Sequence, residues 1–204
     1  MELHIPSRYI QQAVEQMASL PGVGKKTALR LVLDLLKREQ KDVERFANSF
    51  LELIQNIKKC KSCGVIADSD TCNICLNPRR DHRTVCVVED LRDVLAIEAT
   101  EAYSGIYQVL GGIISPMDGI GPGDLNLQSL IEKANDGHLD EIILALSATM
   151  EGDTTNFYIF KKVGDSGVKI STLSRGVAVG TELHYADEIT LSRSIINRTT
   201  YSVK

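Results

Sequence analysis

Apolar residues in "SRYIQQAVEQMASL" fall at Ile10, Val14, Met17 and Leu20, three to four positions apart, the repeat of one helix face. The spacing returns in "TALRLVLDLLKRE", where Leu29, Val32, Leu33 and Leu36 share a face, and in "KDVERFANSFLELIQNIKKC", with Val43, Phe46, Phe50, Leu53 and Ile57. The first sixty residues therefore predict a small helical domain. Beyond residue 80 strand-like and helix-like runs alternate: "TVCVVED", "LRDVLAIEAT", "IYQVL", "DLNLQSLIEKAND", "EIILALS", "DTTNFYIFKKV", "VKISTLS". Such alternation predicts an α/β domain whose mostly parallel sheet is covered by helices. The apolar runs at 85–88 and 142–146 are expected as its central buried strands. The stretch "GVAVGTELHYADEITLSRSIINR" shows no clear period, and is expected either to extend the domain or to dock on another subunit.

The pattern excludes several classes. No internal repeat or low-complexity tract is present, and no run approaches the ~18 apolar residues of a membrane span. "MELHIPSRYIQQ" lacks the charged-then-apolar pattern of a signal peptide, so a cytoplasmic protein is expected. Five cysteines would then sit in a reducing compartment, which favours metal binding over disulfides. The net charge of −4 hides an asymmetry, since residues 1–80 carry +4 and residues 81–204 carry −8. A basic segment suits nucleic acid; an acidic remainder suits a protein, a metal or only water.

"SLPGVGKKTALR" has the look of a nucleotide-binding P-loop, but fails it letter by letter. Ser19 stands where the first glycine belongs, Lys26 stands where the hydroxyl belongs, and a helix precedes it where a strand is required. Cys60-x-x-Cys63 and Cys72-x-x-Cys75 are a stronger signal, because two such turns supply the four thiolates of a closed tetrahedral zinc site. With no open coordination position the zinc would be structural; a redox dithiol and an iron–sulfur cluster are the competing readings. Cys86 lies within an apolar strand and reads as core, whereas His4, His82, His138 and His184 read as ordinary polar residues.

Glu89 ends a strand, and Glu151 with Asp153 follow another, where ligand and metal sites of α/β sheets lie. A magnesium site for phosphoryl transfer and an acidic rim receiving a basic partner are both open on this evidence. "LGGIISPMDGIGPGDL" does not fit a dinucleotide-binding pattern and reads as an ordered surface loop.

The co-linear order of "LPGVGKKTALR", "CNICLNPRRD", "VCVVED", "GIISPMDGIGP", "TMEGDTT" and "GVAVGTELHYADEITL" resembles the RecR family of bacterial recombination mediators over nearly the whole chain. The resemblance implies an α+β multidomain chain: a helix-hairpin-helix DNA-binding domain at 1–59, a four-cysteine zinc finger at 60–80, a Toprim domain at 81–176 with a mostly parallel sheet, and a C-terminal segment at 177–204 exchanged between subunits. Residues 10–36 would form the hairpin. Gly22 and Gly24 bracket its turn, backbone N–H groups at the start of the second helix face a phosphate, and Lys25, Lys26 and Arg30 add charge. DNA binding is then expected to be sequence-independent.

Catalytic Toprim members pair the strand-end glutamate with an Asp-x-Asp before Glu-Gly. Here Glu89 and Glu151-Gly152 match but Ser147 and Thr149 replace the aspartates, so no enzyme activity is expected. The resemblance instead makes Glu89, Glu151 and Asp153 partner-binding residues for RecO, with RecF a further partner. It implies a mediator that loads RecA recombinase onto single-stranded DNA coated by single-strand-binding protein, working as a homotetrameric ring. One zinc per chain would hold the insert rigid between the two domains. A magnesium-dependent Toprim nuclease or primase-like enzyme using Glu89, Glu151 and Asp153 is the rival reading.

Overall fold

A computed structural model describes residues 5–200. His4 lies outside the described residues. The chain divides into two compact units, Met1–Ile57 and Lys58–Lys204.

The first unit holds α1 (Arg8–Ala18), α2 (Lys25–Leu35) and α3 (Gln40–Asn56). Ser7 caps α1 by accepting from the Ile10 N–H at 3.5 Å. The chain then reverses through Gly22, whose φ of +80° lies in the left-handed region that glycine enters at least cost. Helices α1 and α2 pack on a small core of Val14, Ala28 and Val32, ringed by Ile10, Met17, Val23 and Leu29. The stripe read from α2 is only partly covered: Val32 is buried with Ala28, whereas Leu33 and Leu36 are exposed. Helix α3 buries none of its residues, and its apolar face, Phe46, Phe50 and Leu53, stays uncovered.

The second unit opens with a two-stranded antiparallel ribbon, β1 (Lys58–Lys59) and β2 (Ile66–Ala67), and a single helical turn, α4 (Asn73–Leu76). Then follow β3 (Asp81–Val88), α5 (Leu91–Glu98), β4 (Gly105–Val109), α6 (Gln128–Asn135), β5 (Glu141–Leu144), α7 (Met150–Val163), β6 (Lys169–Thr172) and α8 (Glu188–Ile196). Each alternating run of the sequence became the corresponding element. The sheet order is β4-β3-β5-β6, all parallel, so the expected central strands β3 and β5 are the central ones.

Period-two alternation splits each central strand between two cores. Val85, Val87, Ile142 and Leu144 face α6 and α7, through Leu130, Ala134, Ile159 and Val163. On the other face, Cys86, Val88, Tyr107 and Val109 meet Val94 of α5 and, beside it, Cys60, Cys63, Val65 and Cys72. The cysteine insert thus serves as part of a covering layer.

The glycine-rich loop after β4 is ordered as expected, by a bridge between Ser115 and Ile120 and by the buried Thr155 hydroxyl accepting from the Ile114 N–H at 2.9 Å. The stretch without a clear period contains α8, started by Asp187, whose carboxylate accepts from the Thr190 N–H at 2.9 Å. Among the described residues no helix is long and apolar enough to cross a membrane.

Candidate nucleic-acid interface, metal site and acidic rim

The hairpin between α1 and α2 leaves hydrogen-bond donors free. Gly24 is the N-cap of α2, has no side chain with which to cap it, and its carbonyl accepts from Ala28 at 2.9 Å. The N–H groups of Lys25, Lys26 and Thr27 therefore have no carbonyl within the helix, and they sit at its positive end. A Cβ built on Gly24 would meet nothing within 4 Å, so the backbone there is open to a ligand. Lys25, Lys26 and Arg30 are exposed. The ion pairs of this unit, among the described residues, are Arg38–Asp34 and Arg45–Asp42, and they leave those three cations unpaired. Lys26 and Arg30 line one groove with Leu29, Leu33, Lys37 and Asp34, the last paired with Arg38. Lys37 reaches this groove from the turn that follows α2, a placement the helical spacing alone does not give.

Cys60, Cys63, Cys72 and Cys75 converge as expected, with all four Sγ atoms within 4.8 Å of one another. A tetrahedral ion with bonds of about 2.3 Å to sulfur sets its ligands about 3.8 Å apart. Cys63 Sγ and Cys72 Sγ lie 3.6 Å apart, close to that edge and far beyond a disulfide bond, and all five cysteines are free. Backbone N–H groups support the sulfurs: Cys72 donates to Cys60 Sγ at 3.3 Å and Cys75 donates to Cys72 Sγ at 3.4 Å. A hydrogen bond shared with Cys75, together with burial, pushes the Cys63 thiol far up, and the same bond pulls Cys75 down to about 5. The donor set fits a soft ion bound through thiolates, with no position left for a substrate. Cys86 stays apart in the core, its thiol pushed up to about 12 by burial. His82 is exposed, as read from the sequence.

The acids stand at the carboxyl edge of the sheet. Glu89 directly follows β3; Glu151 and Asp153 fall in the first turn of α7, after β5. Because β3 and β5 are adjacent and parallel, both loops leave the same edge. The positions taken by aspartates in catalytic Toprim domains hold hydroxyls with other tasks. Thr149 caps α7 by accepting from the Gly152 N–H at 3.1 Å, and Ser147 Oγ lies 3.2 Å from Thr149 Oγ1. Gly152 fits because a Cβ there would stand 2.0 Å from the Ser147 carbonyl oxygen. Asp153 is held by Arg175 at 2.6 Å and Arg193 at 3.6 Å, which keep its carboxyl below the usual carboxylate range. Glu151 is exposed, and burial with the charges of Asp93 and Asp90 raises the Glu89 carboxyl.

Comparison with known proteins agrees part by part. The RecR helix-hairpin-helix model matches residues 10–54, a Toprim domain model matches 83–174, and the RecR C-terminal model matches 176–199. The chain is 55% identical over 202 residues to the Recombination protein RecR of Bacteroides thetaiotaomicron, covering 99% of this chain and 98% of that one. It is 54% identical over 203 residues to the protein of the same name from Cytophaga hutchinsonii, covering 99% of each.

Proposed function

This chain belongs to the RecR family of recombination proteins, and from that premise we propose that it is a non-enzymatic mediator that helps load RecA recombinase onto single-stranded DNA covered by single-strand-binding protein, in the RecF/RecO pathway. The observation that carries the DNA-binding part is the uncapped start of α2, flanked by unpaired Lys25, Lys26 and Arg30. Such a site takes phosphate oxygens without reading bases, and Lys37, in the turn after α2, adds a further cation beside it.

Several features support the remaining parts. The α3 face of Phe46, Phe50 and Leu53 is the kind of surface a second copy covers, in keeping with a homotetrameric ring in the cytoplasm that gathers weak phosphate contacts. Four thiolates and the absence of an open position suit one structural zinc per chain. Zinc bound there would close the two cysteine turns on each other and supply no reactive water. For the Toprim half, Ser147 and Thr149 engaged in capping, and Asp153 tied to two arginines, leave few carboxylates for magnesium. Glu89 and Glu151 then serve as docking positions for RecO, with Asp153 anchoring the segment beside them.

The test is DNA binding across a salt series. Lys26→Ala/Arg30→Ala should weaken binding and lower the slope of log affinity against log salt by about one unit per lost contact. Parental affinity and slope at every salt would refute the assignment. Incubation of labelled DNA with Mg²⁺ or Mn²⁺ should leave it intact; cleavage abolished by Glu89→Gln would favour the enzyme reading.

A further inference from the structure

The two cysteine turns are held very differently. Two successive carbonyls of the first turn are taken by the α/β scaffold: Ser62 O accepts from Lys133 Nζ at 2.6 Å, and Cys63 O accepts from the Val109 N–H at 2.7 Å. Gly64 then passes with φ +80° so close to the sheet that a Cβ would stand 2.3 Å from Asn126 Nδ2 and 2.7 Å from Val109 O. Among the described residues the second turn has no such backbone bonds to the sheet: it touches the scaffold through the packing of Ile74 and Cys75, and is tied to the first turn by the N–H contact from Cys72 to Cys60 Sγ and the Lys61 N–H donated to Asp70 O at 2.9 Å. Whatever fixes the first turn therefore fixes the place where four sulfurs can meet.

Lys133 is unusual among these supports because it brings charge. It lies in the last turn of α6, is half-buried, and makes no ion pair with a carboxylate among the described residues. An ammonium there is favoured by negative charge, first of all by the carbonyl end of α6 itself. Four thiolates around a divalent ion carry two net negative charges, and the Lys133 ammonium is bonded to the residue between two of those thiolates. Its bond to Ser62 O is charge-assisted, so it also stiffens the turn more than a neutral donor would.

We propose that Lys133 is a positioning residue for the metal of the four-cysteine site: it locks the Cys60–Cys63 turn to α6 and offsets the negative charge of the metal–thiolate cluster. Metal retention and packing of the α/β unit are then one property, joined through a side chain 71 positions away in sequence. This rests on the reading of the cysteines as a metal site, and the parent protein's metal content reports on that reading separately.

The experiment loads the full-length parent, Lys133→Met and Lys133→Arg with zinc and follows release to a chromophoric chelator. Methionine keeps the apolar stem without the charge; arginine keeps the charge. Lys133→Met should release zinc about ten-fold faster than the parent, within the range usual for residues that support metal ligands, and Lys133→Arg should restore slow release. Release from Lys133→Met within two-fold of the parent would overturn the proposal, as would a Lys133→Arg protein that releases as fast as the methionine variant. Urea unfolding with and without zinc gives a second readout. A lysine that only packs costs the loaded and metal-free proteins alike, which overturns the proposal, whereas a positioning residue costs the loaded protein more. Should Lys133→Met not fold, Lys133→Gln enters the same assays with the same outcomes.

Discussion

The hairpin of the helical unit and the carboxyl edge of the α/β sheet are both charged helix starts, yet they are built in opposite ways. At the hairpin, α2 starts on a glycine that cannot cap it, and its cations lack partners. At the sheet edge, α7 starts on Thr149, α5 starts on Asp90 with a reciprocal bond from Asp93, and Asp153 is clamped by two arginines. A helix end with unmet donors needs something from outside; one whose donors are met is scaffold. The cores follow the same division. The helical unit buries Val14, Ala28 and Val32 and leaves α3 bare, while the α/β unit fills both faces of its sheet.

The most severe way to break this comparison is to remove an internal support from the scaffold. Cys60→Ser/Cys72→Ser should lose the metal and destabilise the α/β unit by an amount on the order of 5 kcal/mol, enough to threaten its folding. Because Cys60, Cys63 and Cys72 share a core with Cys86, Val88 and Tyr107, hydrogen exchange should rise across β3 and β4. Protection in α1 and α2 should stay at the parental level. A variant that unfolds no more easily than the parent would show that the cysteines do not support the sheet.

A pair of glycine substitutions sharpens the contrast at smaller scale. At Gly152 an added methyl would collide with the Ser147 carbonyl, backbone against backbone, and Gly152→Ala should cost about 3 kcal/mol in chemical denaturation. At Gly24 the methyl meets open space and the φ of −77° suits any residue, so Gly24→Ala should change stability by less than about 0.5 kcal/mol. Its effect should appear instead in DNA affinity, since the methyl occupies the surface a phosphate must approach. Equal losses of stability at the two positions would erase the distinction between scaffold and contact surface.

How much of this was legible in the sequence depended on whether the signal was local. The parallel sheet, its central strands and the convergence of the four cysteines all followed from period and spacing, because each is fixed by residues close in sequence. Helix α8 was hidden because its surface is largely exposed and it has no apolar stripe to read, although the capping residue Asp187 was there to be seen. That Leu33, Leu36 and the α3 face are exposed could not be read, since periodicity reports which residues share a face but not what covers it. The insert's place as a layer on the sheet, and the bond from Lys133 to Ser62 across 71 positions, depend on long-range contacts that no local pattern encodes. Asp153 was visible as an acid; its arginine partners became visible only when the C-terminal segment folded back toward α7.

The smallest expected effect concerns Glu89, an acid of the sheet edge whose surroundings disfavour its charge. Burial, then the charges of Asp93 and Asp90, raise the Glu89 carboxyl above its ordinary value, while Arg92 opposes them. A raised carboxyl holds its proton longer in the folded chain than in the unfolded one, so the folded state binds more protons as pH climbs out of the ordinary carboxylate range near about 4.3. Stability from this group is therefore present at low pH and is lost as pH rises through the folded value. Glu89→Gln keeps the shape without the charge and should raise the melting temperature slightly at pH 7. The gain should shrink toward zero below about pH 4, where the parent's Glu89 is protonated in both states. A gain that persists unchanged at low pH would mean that the charge is not its source. Helix α2 sets the opposite case, where cations are kept exposed and unpaired at the positive end of a helix. An acid that weakens its own scaffold at neutral pH, beside so many that are paired, is the rim position with most to gain from a basic partner.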